Sequence, residues 1–264
     1  MTWRVALAIS MAIAGCAPAN EGYTPYPYHP PPGAYYPSNT SYYPQQPGPQ
    51  PAAPTPTNAP AFMTYARLDR LSCESELARR QVPFARAAET PGVLAPIRFT
   101  GPLNGVSIHG GAAPAQRATS KYEIFDCRLV LALHDFTAFL ATRGVTEIIH
   151  LSAYRPQAEN GCTARHVGEQ HCAALAVDVG YFKRRDGSTL TVEKDFAGRV
   201  GQDTCSGRFG PSVATPNATE LWGFVCEAAR RTTFNVILTP NYNAEHRNHF
   251  HLEVAASADW MMIK

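Results

Sequence analysis

The sequence predicts an α+β domain, with a central, mostly antiparallel sheet flanked by helices. Three observations predict it. The stretch Asn248-His249-Phe250-His251-Leu252-Glu253-Val254 alternates strictly, so it reads as a strand with His249, His251 and Glu253 on one face. In 126–144, Leu129, Val130, Leu133, Phe136, Phe139 and Leu140 recur at helical spacing. Asp186-Gly187, set between two apolar runs, is a hairpin signal and so favours antiparallel pairing.

The chain opens with a segment outside that domain. Arg4 supplies a short positive region, Val5 to Ala14 an apolar run, and Ile13-Ala14-Gly15-Cys16 a small-residue cleavage site. About ten apolar residues are too few to span a bilayer, so 1–16 reads as a secretory signal. Cysteine directly after Ala-Gly resembles a bacterial lipobox. That resemblance implies lipidation of Cys16, and with Ala17 following, an outer-membrane anchor facing the periplasm.

Residues 17–61 read as a linker. Positions 21–60 hold 13 of the 23 prolines and 7 of the 12 tyrosines, and no charge falls between Glu21 and Arg67. Proline at that density removes backbone donors and favours extended polyproline II. Some forty residues at about 3.1 Å each reach on the order of 100 Å. The linker therefore serves as a spacer, with a wall-adhering role for its Tyr-Pro repeats as the rival reading.

Residues 62–264 suit one compact domain. Helices are expected over 68–82, carrying Cys73, over 126–144 with Asp126 at the N-cap and Gly144 past the end, and from Thr219 as cap to about residue 231. Strands are expected over 147–153, 175–182, 189–193, 234–239 and 248–255, the first leaving through Tyr154-Arg155-Pro156. The formal net charge of +2 falls by one when Arg4 leaves. Such near-neutrality gives no footprint for nucleic acid or anionic lipid, so membrane contact is expected only through the lipid anchor, and the domain reads as a monomer.

With Cys16 lipidated, six cysteines remain in an exported chain, which implies disulfides, although fifteen connectivities are possible. Proximity suggests Cys73–Cys127, Cys162–Cys172 and Cys205–Cys226. The rival use of Cys162 or Cys172 as a metal thiolate lacks any CxxC spacing.

Two segments about eighty residues apart carry metal-binding chemistry. His171, Asp178 and His251 offer two neutral imidazoles and a carboxylate, the donor set with which a zinc hydrolase keeps one position open for water. Alternation of Ala174, Ala176, Asp178 and Gly180 with bulky residues makes Asp178 a strand residue, with His171 in the loop entering the strand. The small residues on the Asp178 face leave room for metal and substrate. His249, two before His251, is the candidate general base or transition-state stabiliser, and His246 orients it or shares the proton work. Arg155 is placed to stabilise an oxyanion or grip a substrate carboxylate, its bland alternative being a structural ion pair. Glu169 is a candidate hydrogen-bond partner for a ligand histidine.

These segments resemble the LAS metallopeptidases, the group of lysostaphin-type endopeptidases, D-Ala-D-Ala peptidases and hedgehog domains. Their motif Ser-x-His-x-x-Gly-x-Ala-x-Asp corresponds to 169–178 here, with Glu169 for Ser and Ala174 for Gly. Their His-x-His corresponds to His249-Phe250-His251, and their Ser-x-Tyr-Arg to 152–155. A closer resemblance, over 120–255, is to bacterial extensin-like C-terminal domain proteins, carried by 239–252 and the segment around His171. The resemblance implies a hedgehog/DD-peptidase-like fold, Zn2+ held by His171, Asp178 and His251, and a site that Ala174 narrows. The function expected is a zinc-dependent peptidoglycan hydrolase acting on peptide crosslinks or stems, an endopeptidase before a carboxypeptidase. The alternative is a non-catalytic wall-binding or scaffolding lipoprotein whose metal site is structural or vestigial. A third reading makes the Tyr/Pro tract the working part.

Overall fold

The structure, a computed structural model, describes residues 59–156 and 167–264. The signal, Cys16, nearly all of the linker and Cys162 lie outside the described residues. The first half forms α1 (Ala61–Ala66), α2 (Arg70–Arg79), β1 (Phe84–Arg86), β2 (Pro96–Phe99), β3 (Ser107–Gly110), α3 (Pro114–Thr119), β4 (Phe125–Asp126), α4 (Cys127–Thr142) and β5 (Val145–Ser152). The second half forms β6 (Ala176–Arg184), β7 (Thr189–Thr191), α5 (Val192–Asp195), α6 (Pro216–Arg230), β8 (Val236–Leu238), β9 (Phe250–Glu253) and β10 (Met262–Ile263).

The main sheet runs β10-β8-β9-β6-β5-β3, with β7 also on β6. It is mostly antiparallel, as expected, but the outer pairs β3 with β5 and β8 with β10 are parallel. A second, three-stranded sheet, β1-β2-β4, was not expected. Its strands of two to four residues are too short to show a period.

Local chemistry sets the element ends. The Asp126 carboxylate is fully buried, caps α4 by accepting the Arg128 N–H at 3.0 Å, and takes the Arg128 guanidinium at 2.8 Å. Asp69 caps α2 in the same way, accepting from Ser72 N–H at 2.8 Å. The cap of α6 is Thr215, not Thr219: its hydroxyl accepts the Ala218 N–H at 3.1 Å, and Pro216 fills the first helical position. The strand expected over 189–193 stops at Thr191, because the Asp195 carboxylate accepts the Thr191 N–H at 2.7 Å and Val192 turns into the core as the start of α5. Among the described residues two of the expected disulfides have both partners, Cys73–Cys127 between α2 and α4, and Cys205–Cys226 onto α6.

Phe182, Phe224 and Phe250 meet in the core beneath the sheet, with ring centroids 5.2 Å apart for Phe182 and Phe224 and 6.0 Å for Phe182 and Phe250. Val177, Val179, Phe250 and Leu252 are all fully buried. The other face of β6 and β9 is thereby left for polar groups.

Candidate metal centre

β6 and β9 are antiparallel neighbours with Asp178 directly opposite His251. Cross-strand partners on one face project side by side, which brings these two donors together. His171 joins them from the 3-10 turn Gln170–Ala173 rather than from an open loop. Its carbonyl accepts N–H groups of Arg155 and Ala174, each at 3.1 Å, so the turn is tied to the exit of β5. The turn ends at Ala174 in a left-handed conformation, φ 53°, which a glycine adopts without strain. Ala174 packs with Ile124 and Tyr154, away from the cavity lining, so the expected narrowing of the site does not occur.

The donor atoms lie close. His171 Nε2 is 3.1 Å from Asp178 Oδ1 and 3.3 Å from His251 Nδ1, and His251 Nδ1 is 3.0 Å from Asp178 Oδ1. All three residues are buried, and together they can hold a metal ion. Their remaining hydrogen bonds fit that use. His171 Nδ1–H donates to the Ala153 carbonyl at 2.6 Å, which leaves Nε2 as the lone pair. His251 Nε2–H donates to Glu253 at 2.9 Å, which leaves Nδ1 for a metal or, in the metal-free protein, for a proton bonded to Asp178. Glu253 also accepts the N–H groups of Gly168 at 2.8 Å and Gln170 at 3.1 Å. Two imidazole nitrogens and one carboxylate with a firm outer shell suit a divalent transition metal. Cys172 is disulfide-bonded, which excludes it as a thiolate ligand.

Charge follows the same arrangement. Burial alone would raise Asp178, but the imidazoles of His171 and His251 beside it outweigh that and hold the carboxylate well below its usual range. Burial alone would lower His251, yet its bonds to Asp178 and Glu253 raise it to about 9. The two histidines at the rim behave oppositely. His246 is lowered to about 4, chiefly by burial and then by the neighbouring histidines, and His249 is lowered for the same leading reason. His246 Nδ1–H donates to Asn243 at 2.7 Å and His249 Nδ1–H to Asn248 at 2.8 Å, so each keeps a basic Nε2. His249 Nε2 stands 3.4 Å from Asp178 Oδ1, and the His246 and His249 rings are 4.9 Å apart.

Arg155 reaches the centre as well. Its guanidinium hydrogen-bonds Asp178 and, at 3.2 Å, His171 Nε2, while Nε donates to Ser152 at 2.5 Å. Glu169 lines the same cavity, and the Glu253 carboxylate is bonded to His251. The cavity holds about 610 Å³ and is lined also by Tyr242, Asn243 and Met262. Gly180 adds no room, because a methyl there would lie 3.0 Å from the Leu151 side chain, which covers it.

Sequence reasoning missed Glu253 and Asn243 as site residues. Both carried a signal: Glu253 shares the two-residue period of His249 and His251, and Asn243 stands three before His246 as a cap.

The family described as Extensin-like protein C-terminus matches residues 71–264. No curated protein and no solved structure matches the chain.

Proposed function

The chain belongs to the extensin-like C-terminal family, and from that premise we propose that it is a zinc-dependent peptidoglycan hydrolase. Its substrate is a peptide crosslink or stem, and cleavage inside a bridge, the endopeptidase reaction, is the preferred form. The observation that carries this reading is the buried His171–Asp178–His251 set beside two neutral histidines in an open cavity. The relation to LAS metallopeptidases rests on the two motifs that supply these residues. The lipobox and the long spacer support action in the cell envelope, with the domain held by its anchor and reaching into the wall.

His171, Asp178 and His251 would hold the metal. Zinc in such a set supplies a Lewis acid for the scissile carbonyl and a water of lowered pKa. The protein's own residues do the rest. His249 takes a proton from the attacking water at Nε2 and returns it to the leaving amine nitrogen. His246 packs on His249 and holds a second neutral acceptor at the rim. Arg155, whose side chain is 56% exposed, presents its planar fork to the substrate's oxyanion or carboxylate.

Paired variants test the reading. His251→Ala should lose both zinc and the release of soluble products from purified sacculi. His249→Ala should keep its zinc yet lose about 10²–10⁴-fold in turnover, the usual worth of a positioned base. Retained turnover in His249→Ala would remove that residue from the mechanism. A wild-type chain that binds zinc and sacculi but releases nothing would be the scaffolding lipoprotein instead.

A further inference from the structure

Arg155 has a cavity on each side. Besides the metal cavity it lines a second one of about 410 Å³, between the end of β3, the 3-10 turn Lys121–Glu123 and the end of β5. We infer that this second cavity is a substrate subsite, which takes an extended, uncharged, small-residue stretch of peptide continuing past the scissile bond. The inference rests on the hydrolase reading.

One buried polar atom beside this cavity lacks a partner. His150 lines the cavity and is only 3% exposed. Its Nε2–H donates to Glu123 Oε2 at 3.1 Å, and the other Glu123 oxygen accepts the Gly110 N–H at 2.9 Å. His150 Nδ1 then remains a buried acceptor with no partner. Buried acceptors are nearly always satisfied, and a small shift of the cavity wall would let a backbone N–H of a bound peptide, a donor of the right kind, reach this closed atom.

Shape points the same way. A methyl on Gly110 would lie 2.6 Å from Glu123 Oε1, so the His150–Glu123 pair needs glycine there. A methyl on Gly111 would meet nothing within 4 Å, which marks open space on the cavity wall. The same cavity is lined by two exposed apolar side chains, Tyr122 at 54% and Leu151 at 46%. They offer contact to small aliphatic side chains.

Charge and continuity agree with this. Glu123 is already paired with His150, so beyond Arg155 at the junction the lining has no free charge for a strongly ionic ligand. One chain laid across Arg155 would enter both cavities, since Arg155 lines each of them and the metal set lines the first.

Gly111→Trp tests this, since position 111 has open space and no left-handed φ that would strain a side chain. The probes are a fluorescein-labelled crosslinked stem-peptide dimer and the corresponding uncrosslinked monomer, with binding read by anisotropy on the zinc-loaded full chain. Gly111→Trp should weaken dimer binding on the order of tenfold or more. It should raise KM on sacculi more than it lowers kcat, and leave monomer binding, zinc content and Tm unchanged. His150→Phe, which keeps a ring against Phe125, should also weaken dimer binding. If wild type cleaves sacculi and Gly111→Trp binds the dimer equally well, the subsite is overturned and the hydrolase reading stands. Binding of a peptide-free glycan that Gly111→Trp abolishes would overturn it too. If wild type neither cleaves nor binds the dimer, both fall.

Discussion

Glu253 is the residue on which two halves of the centre converge. Its buried carboxylate accepts from His251 and from the N–H groups of Gly168 and Gln170, so it fixes one ligand's tautomer and the approach to another. Glu253→Gln replaces one acceptor by a donor facing a donor. Zinc affinity should then fall about 10–100-fold, as for other outer-shell partners, in a chelator competition. Protons report on the same centre. His251, raised from 6.5 to about 9, gives the metal-free fold stability that is complete below pH 6.5 and lost as pH rises through about 9. Asp178, held low, gives stability present above 3.8 and lost as pH falls further. The Tm of the chelated protein should therefore decline between pH 6.5 and 9, while that of the zinc-loaded protein holds. A flat metal-free profile would contradict the His251–Asp178 pair. At this scale the candidate site was largely legible. His171, Asp178, His246, His249, His251 and Arg155 all meet at one cavity; the two-residue period put Asp178 and His251 on strand faces, and motif spacing pointed to the others. Glu253 was on that face but showed nothing that distinguished a structural acid from a solvated one.

Elements were legible where they were long. The helix over 127–142 and the strands around 150, 178 and 251 carry clear periods and strong caps. The small β1-β2-β4 sheet and the parallel edges are set by contacts between distant residues, to which a local pattern is blind. The loops that frame the cavity depend on such contacts too. Asn241 accepts the Arg199 N–H at 2.7 Å and donates to Thr204 at 2.9 Å, and its carbonyl takes the Gly201 N–H at 2.7 Å. A methyl on Gly198 would fall 2.2 Å from its side-chain oxygen. Gly198→Ala should thus destabilise by about 2–4 kcal/mol in denaturant unfolding, from overpacking and broken buried hydrogen bonds. Ala174→Gly is predicted to be almost silent. Relief of the left-handed backbone, roughly 1–2 kcal/mol, is offset by added chain entropy of about 0.5–1 and a lost buried methyl worth about 0.8.

For the whole molecule, the disulfides hold together what the sheet alone does not. Cys73 and Cys127 are 54 residues apart and join the N-terminal helices to α4. Replacing both with serine should cost about 4 kcal/mol on the loop-closure estimate, read as a lower unfolding midpoint under oxidising conditions. The fold as a whole brings residues some eighty positions apart to one buried donor set, and hydrolysis of wall peptides by that set is the central claim. Mass analysis of the products released from purified sacculi, with zinc, with a chelator, and with zinc restored, tests it most directly. The account predicts peptide-bond cleavage products that vanish with the chelator and return with zinc. Intact muropeptides under all three conditions, or cleavage indifferent to the chelator, would contradict it.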